Sequence, residues 1–179
     1  MASTPSFVTI AGLKKSGKTT VAEALIGELV RRGFRVASIK SMTHEAFNLE
    51  PDAVDTRRHL AAGSEAALAF AAEEDAVFAR RSPSGPRDRL ERWLPPGTDW
   101  VVCEGLLEGV PAARVILCLA RAQDFTETLA VRNLEARVVI AASGVAAGEH
   151  GPPRPLPVPL LDARDPGSLA RLADLVLGV

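Results

Sequence analysis

The sequence has few of the residues that build a zinc site or a disulfide framework. Among its 179 residues there are two cysteines, Cys103 and Cys118, and each lies inside a short apolar run, "VVCEG" and "VILCLA". No C-x-x-C pair and no cluster of histidine with cysteine occurs, although zinc sites usually show such spacing. We therefore interpret both cysteines as buried free thiols.

Basic charge in excess is also lacking, since the formal net charge is −1. A general nucleic-acid binder usually carries a basic surplus, so the composition argues against DNA or RNA as a bulk partner. No run of about 18 apolar residues occurs, which argues against a membrane span. The N-terminus resembles no signal peptide, and the expected location is the cytoplasm. With 47% hydrophobic and 24% charged residues, we expect residues 1–179 to form a single globular domain.

Strand and helix patterns alternate along the chain. Residues 7–11 read as a strand, residues 19–32 as a helix that stops at Gly33, and residues 34–39 as a second strand. Further strands are predicted at 66–71, 76–79, 100–103, 114–119 and 137–142, and further helices at 54–62, 89–94, 125–133 and 166–177. Residues 41–52, 80–88 and the proline-rich 151–159 are predicted loops, and Asp165 is the expected N-cap of the last helix. This alternation predicts an α/β fold with a mostly parallel, twisted sheet.

The turn between the first strand and helix carries the clearest motif. Residues 12–19, "GLKKSGKT", fit G-x-x-x-x-G-K-[ST], the loop whose backbone N–H groups hold nucleotide phosphates. The alternative without a function is a glycine-rich turn with an exposed lysine. It is less consistent with the predicted strand before the motif and the predicted helix after it. Lys18 would reach the β- and γ-phosphates and Thr19 would ligate Mg²⁺. Lys14 and Lys15 stand at variable positions and at least strengthen the positive field. The predicted phosphate-binding residues of the loop are Gly12, Lys15, Ser16, Gly17, Lys18, Thr19 and Thr20.

Other polar residues follow strands where ligands of open α/β sheets usually bind. Lys40 ends the second strand and either contacts a terminal phosphate or is an ordinary surface lysine. Glu104 ends the apolar run "DWVVCEG", and an unpaired carboxylate there would be costly without a function, so we predict that it helps to hold Mg²⁺. Asp52 and Asp55 are candidates for contacting Mg²⁺ or orienting water, or else acids at a helix start.

Taken together, "IAGLKKSGKTTVAEALIGELVRRGFRVASIK", "DTRRHLAAGS", "DWVVCEGL" and "PLPVPLLDARDPGSLARLADLVL" resemble the MobB family of molybdenum cofactor biosynthesis. The resemblance implies a three-layer P-loop NTPase fold and GTP binding with weak hydrolysis. It further implies homodimers and a supporting role in attaching GMP to molybdopterin beside the nucleotidyltransferase MobA. On this basis Gly12, Gly17, Lys18 and Thr19 hold phosphates, Glu104 helps to hold Mg²⁺, and Asp55 begins a segment near the site, with Lys18 and Asp55 as the catalytic candidates.

The sequence departs from this family at three places. The family tends to carry several histidines directly after the lysine that ends the second strand, whereas "KSMTHE" contains only His44. Leu107 replaces a lysine in "EGLL", and Ser143-Gly144 stands where relatives often carry aspartate. No N-K-x-D occurs, so the residues themselves do not choose GTP over ATP. Backbone groups of residues 156–158 are possible base contacts. Two other functions stay open. A small-molecule kinase is suggested by the arginine-rich stretch "ARRSPSGPRDRLERW", and a metallocentre-assembly NTPase would act through its partners.

Overall fold

A computed structural model describes residues 4–42, 54–70, 72–73, 75–80, 85–107, 110, 112–148 and 155–179. Most of the predicted loop at 41–52 therefore lies outside the described residues, and so do His44 and Asp52. For residues 54, 55, 57, 86, 87 and 91 the structure describes the backbone and not the side chain.

In the described part of the chain, strands and helices alternate except at two places, where two strands follow each other with no described helix between them. The strands are β1 (Ser6–Gly12), β2 (Val36–Lys40), β3 (Ala66–Phe70), β4 (Asp75–Ala79), β5 (Trp100–Glu104), β6 (Val115–Cys118) and β7 (Val139–Ser143). The helices are α1 (Lys18–Arg31), α2 (Val54–Ala61), α3 (Pro86–Trp93), α4 (Phe125–Arg132) and α5 (Pro166–Leu177).

Five strands form one parallel sheet in the order β2-β5-β1-β6-β7, and β3 and β4 form a separate antiparallel pair. The first strand therefore lies at the centre of the sheet, with β5 on one side and β6 on the other. Helices α1 and α5 pack together on one face, and α4 contacts β1 through the other. The prediction of an α/β fold with a mostly parallel sheet is confirmed.

Two hydrophobic clusters fill the layers on either side of the sheet, as the alternation of side chains along a strand requires. Ile10, Ile116 and Val102 face α1 and α5, where they meet Leu25 and Leu172. Their neighbours Ala11, Val115 and Leu117 face the other way and pack with Phe125 of α4. The sheet is therefore buried on both faces, which is typical of parallel sheets.

Both cysteines are buried free thiols, as the apolar runs around them predicted. Burial disfavours the charged thiolate and raises the pKa of Cys103 to about 11 and that of Cys118 to about 12. Neither thiol is therefore ionised at neutral pH.

Most element boundaries differ from the predictions by one or two residues, and the start of one helix differs by three. Helix α3 begins at Pro86 and not at residue 89, because Pro86 occupies the first helical turn after Gly85, where its missing N–H costs nothing. Strand β7 begins at Val139, two residues late, because residues 136–138 form a 3-10 turn. Residues 155–159 form neither helix nor strand, as predicted, but Leu160 makes one parallel bridge with Ala142 beside β7.

The two helices on the first face are also joined by an ion cluster. The Glu28 carboxylate accepts hydrogen bonds from Arg31 Nε at 2.8 Å and from Arg32 Nε at 2.7 Å. Arg32 in turn donates to Asp174 Oδ1 at 2.6 Å and to the Ala170 carbonyl oxygen at 2.9 Å, both on α5. The hydrogen bonds from Arg31 and Arg32 lower the pKa of Glu28 to about 2. Asp165 caps α5 as predicted, since its side chain accepts from the Ser168 N–H at 2.7 Å.

We expect Glu28→Gln to lower the melting temperature at neutral pH by a few degrees, because the amide cannot replace the charged acceptor. The carboxyl titrates near 4.5 in the unfolded chain and near 2 in the folded one. Its stabilisation is therefore complete above pH 4.5 and disappears as the pH falls toward 2. Thermal melts of both proteins across this range should converge at the acid end. Glu23→Gln, at an exposed position of the same helix, is the control. A difference in melting temperature between wild type and Glu28→Gln that stays constant across this pH range would contradict the assignment.

Candidate functional site

Three of the predicted site residues end neighbouring strands at the same edge of the sheet. Gly12 ends β1, Glu104 ends β5 beside it, and Lys40 ends β2 on the far side of β5. The strand register pairs Glu104 with Ile10 on one side and with Lys40 on the other. Parallel pairing therefore brings together residues that are 28 to 92 positions apart in the chain.

The loop from Gly12 to Gly17 is closely packed against the sheet. A Cβ atom on Gly12 would collide with the carbonyl oxygen of Cys118 on β6, so no larger residue fits there. Gly17 has φ 87°, a left-handed conformation that glycine adopts at little cost, and it precedes the first residue of α1. Ser16 is buried, and its hydroxyl donates to the Leu13 carbonyl oxygen at 2.9 Å. The loop is thus held in one shape by its own groups.

Lys18 bends back over this loop, and its Nζ donates to the Leu13 carbonyl oxygen at 2.6 Å. Burial and, next, the nearby positive charge of Arg132 lower the pKa of Lys18, and Lys40 acts in the same direction. The charged ammonium is therefore less favourable here than in water. An anion bound beside it would offset this cost, as phosphate groups do at the start of a helix.

Thr19 and Glu104 are joined directly, although 85 positions separate them. The Thr19 hydroxyl donates to Glu104 Oε1 at 2.8 Å, and Lys40 Nζ lies 3.7 Å from the same oxygen. A hydroxyl and a carboxylate side by side are oxygen ligands of the kind that Mg²⁺ prefers. Within the described ranges no three His, Cys, Asp or Glu side chains cluster closely enough to hold a metal. The pair therefore fits an Mg²⁺ ion that keeps water and phosphate oxygens as its remaining ligands.

These residues surround a cavity of about 860 Å³. The structure brings nearly all of the predicted site residues to its walls: Gly12, Lys15, Gly17, Lys18, Thr19, Thr20, Lys40 and Glu104. Lys14 also lines the cavity, whereas Ser16 supports the loop from beneath. Asp55 lies in the first turn of α2, but its side chain is outside the description, so its role stays a prediction.

Arg132 also lines this cavity, and the sequence analysis missed it. It is the last residue of α4, which ends at Asn133 in a left-handed conformation, and its Nη2 donates to the Gly12 carbonyl oxygen at 2.5 Å. Its Nε is buried without a hydrogen-bond partner among the described residues. Nothing in the sequence separates this arginine from other basic residues in a last helical turn, because its position depends on how α4 packs over β1.

The arginine-rich stretch is only partly described, and its first member has a structural role. Arg80 donates to the carbonyl oxygens of Ser64 at 3.1 Å and of Leu60. These contacts join the end of β4 to the end of α2. The Arg80 side chain is therefore bonded to backbone carbonyl oxygens. This weakens the kinase alternative, which depended on the arginines of this stretch.

Comparison with known families now identifies the group to which this chain belongs. The model of the family described as "MobB: Molybdopterin guanine dinucleotide synthesis protein B" matches residues 7–141, which is most of the chain. The chain belongs to the MobB family. The resemblance found in its sequence is thereby confirmed, and its family is one of molybdopterin guanine dinucleotide synthesis. No curated protein sequence matches the chain significantly.

Solved structures of MobB proteins share the fold of this MobB-family chain. Two structures of Bacillus subtilis MobB superpose with TM-scores of 0.67 and 0.64, at 22% and 20% identity. The matches cover 95% and 94% of this chain and 97% and 96% of those chains, respectively. A MobB homolog from Bacillus stearothermophilus gives a TM-score of 0.64 at 20% identity, covering 97% of this chain and 99% of that one. This likeness confirms the predicted α/β fold with a mostly parallel sheet between layers of helices.

We expect Arg132→Ala to weaken binding of inorganic triphosphate roughly tenfold, because the phosphate loop loses a charged donor on the Gly12 carbonyl and the cavity loses a positive charge. Isothermal titration calorimetry measures the affinity. Arg137→Ala is the matched control, since Arg137 is exposed and paired with Glu135. Equal affinities for wild type and Arg132→Ala would show that Arg132 only supports the fold.

Proposed function

We propose that this chain binds Mg²⁺ and GTP in the 860 Å³ cavity and supports the attachment of GMP to molybdopterin. In this proposal residues 1–179 act as one nucleotide-binding domain in the cytoplasm, where the nucleotide is available. The observation that carries the proposal is the 2.8 Å hydrogen bond between Thr19 of the phosphate loop and Glu104 at the end of β5. This contact supports the proposal because the hydroxyl and the carboxylate that would hold Mg²⁺ are already side by side, next to the lysine that would contact the phosphates.

The charge around the cavity supports a polyphosphate ligand. Lys18, Lys40 and Arg132 line it together with the loop lysines, and the one acidic side chain among its described lining residues is Glu104. The first turn of α1 contains no acidic residue, so its N–H groups and helix dipole are open to an anion. In the bound state the loop N–H groups and Lys18 hold the phosphates, and Lys40 contacts the terminal one.

A bound Mg²⁺ ion would neutralise phosphate charge and polarise the phosphorus–oxygen bonds. The residues of this chain would hold the ion through the Thr19 hydroxyl and the Glu104 carboxylate. Because Glu104 would be engaged with Thr19 and the ion, it is poorly placed to accept a proton from water. Hydrolysis in the proposal is therefore slow, with Asp55 orienting the water.

The proposal includes a homodimer and the nucleotidyltransferase MobA as protein partner. The separate β3–β4 pair supports a protein contact, because Leu68, Phe70 and Val77 expose 56%, 77% and 44% of their surface on one face of it. Clustered exposed apolar side chains of this kind are typical of surfaces that bind other proteins. Among the described residues, none of the helices has the length and the apolar character that a membrane span requires.

We expect Lys18→Ala to abolish GTP binding, with affinity falling by a hundredfold or more, because the phosphates lose a charged donor that the loop cannot replace. Titration calorimetry with and without Mg²⁺ measures this effect, and the wild type should bind more tightly when Mg²⁺ is present. Lys14→Ala, which removes a charge at a variable loop position, should cost a few-fold at most. Unchanged affinity in Lys18→Ala would refute the site.

The function itself is tested in a mixture of a molybdopterin nucleotidyltransferase, molybdopterin, GTP and Mg²⁺. Wild-type protein should raise the yield of the guanine dinucleotide product, and Lys18→Ala should not, because the effect requires bound nucleotide. Chromatography of the product measures the yield, with Lys14→Ala as the control. Equal yields with and without the wild-type chain would contradict the proposal. A phosphorylated small molecule formed with ATP would instead favour a kinase.

A further inference from the structure

A second, smaller cavity opens beside the phosphate site. Its volume is about 120 Å³, and it shares Gly17, Thr20 and Val145 with the larger cavity. Asp162, Ala163 and Arg164 follow the bridge between Leu160 and Ala142, and they line this cavity and not the larger one. A ligand with its phosphates on the loop would therefore meet this cavity at the other end of the same molecule.

Asp162 is held in place by the residues on either side of it. Leu161 and Ala163 are both buried, and the Leu161 N–H donates to the Ala142 carbonyl oxygen at 3.0 Å. The Ser143 hydroxyl donates to the Leu161 carbonyl oxygen at 2.6 Å. The segment that carries Asp162 is thus fixed to the end of β7, and 24% of the Asp162 side chain stays accessible.

The present partner of Asp162 leaves its carboxylate available. Arg164 donates to Oδ1 from its backbone N–H at 3.0 Å and from Nε at 2.9 Å, and to Oδ2 from Nη2 at 2.9 Å. An ionised carboxylate has about four acceptor positions. The Arg164 side chain pairs with both oxygens but is 61% exposed, so solvent screens the pair and the donors of a ligand can replace its Nε and Nη2. The same hydrogen bonds lower the pKa of Asp162, and the group is an ionised acceptor at neutral pH.

We propose that the smaller cavity binds the nucleotide base and that Asp162 selects guanine by accepting hydrogen bonds from its N1–H and N2–H₂ groups. This inference rests on the proposed binding of a nucleoside triphosphate. A carboxylate offers acceptors alone, and guanine presents two adjacent donors on its Watson–Crick edge. Adenine presents an acceptor at N1, which a carboxylate repels. Val145, exposed to 46%, supplies apolar surface at the boundary between the two cavities.

Asp162 is not one of the positions that the sequence analysis considered for contact with the base. Ser143 is fully buried and bonded to Leu161, so it is a support for the Asp162 segment. Leu156 and Val158 pack on the hydrophobic cluster around Phe125, and residues 156–158 do not line the smaller cavity. Selection of guanine is therefore assigned to Asp162, which comes directly after these segments.

The test compares affinities for GTP, ITP and ATP in the presence of Mg²⁺. ITP differs from GTP by the missing 2-amino group, so it removes one of the two hydrogen bonds. Wild type should bind GTP roughly tenfold more tightly than ITP, and ATP more weakly still, because hydrogen bonds to charged groups are worth about this factor. Equal affinities for the three nucleotides in the wild type would overturn the inference and leave the phosphate site intact.

Asp162→Asn then tests the residue. The variant should lose the difference between GTP and ITP and gain affinity for XTP, because a carboxamide can donate to the 2-oxo group of xanthine. Binding of inorganic triphosphate should not change, and its weakening would overturn the assignment, since Asp162 would then act on the phosphates. Asp88→Asn, at an exposed position of α3, is the control. Wild type that binds no nucleoside triphosphate at all would overturn both this inference and the proposed function.

Discussion

Everything at the candidate site depends on the parallel pairing of β1 with β5. That pairing sets Ile10 opposite Glu104. The loop that follows β1 and the carboxylate that ends β5 therefore lie close together at the same edge of the sheet. The contact between Thr19 and Glu104 follows directly, and Lys40 joins it because β2 pairs with the other side of β5. A slip of one residue in either register would turn the Glu104 side chain to the opposite face of the sheet. The two hydrophobic layers make such a slip costly, since it would expose Val101, Val102 and Cys103 to the wrong neighbours.

The side chains in and around the phosphate loop fix the shape of the loop and also determine which of its backbone groups can bind a ligand. Ser16 and Lys18 both donate to the Leu13 carbonyl, and Arg132 donates to that of Gly12, so these two carbonyl oxygens already have hydrogen-bond donors. The N–H groups at the start of α1 remain for an anion. Burial, and next the positive charge of Arg132, lower the pKa of Lys18, so the charged ammonium is less favourable here than in water. In the proposed complex, a bound phosphate would relieve the repulsion that Arg132 and Lys40 exert on Lys18, and this relief would contribute to the affinity.

The elements of the fold and the phosphate loop could be predicted from sequence because their signals are local. A run of β-branched residues before "GLKKSGKT" and a helical pattern after it define β1 and α1, and the buried run ending in Glu104 defines β5. Arg132 and Asp162 could not be found in this way, because each reaches its cavity through packing between distant segments. The start of α3 was misplaced for a different reason: the two prolines at 83 and 86 read as loop, although proline suits the first turn of a helix. The GTP preference came only from the family resemblance, since no sequence motif marks a base-binding carboxylate here.

The β3–β4 pair stands apart from the five-stranded sheet, and its described contacts are chiefly with α2. A two-stranded sheet is only marginally stable by itself, and here one of its faces exposes Leu68, Phe70 and Val77. In a homodimer of the kind proposed, burial of this face would add stability in proportion to how much of the protein is associated. Dilution would then loosen this part of the chain first and leave the nucleotide-binding edge of the sheet ordered, so that the hairpin and the sheet would follow different denaturation curves.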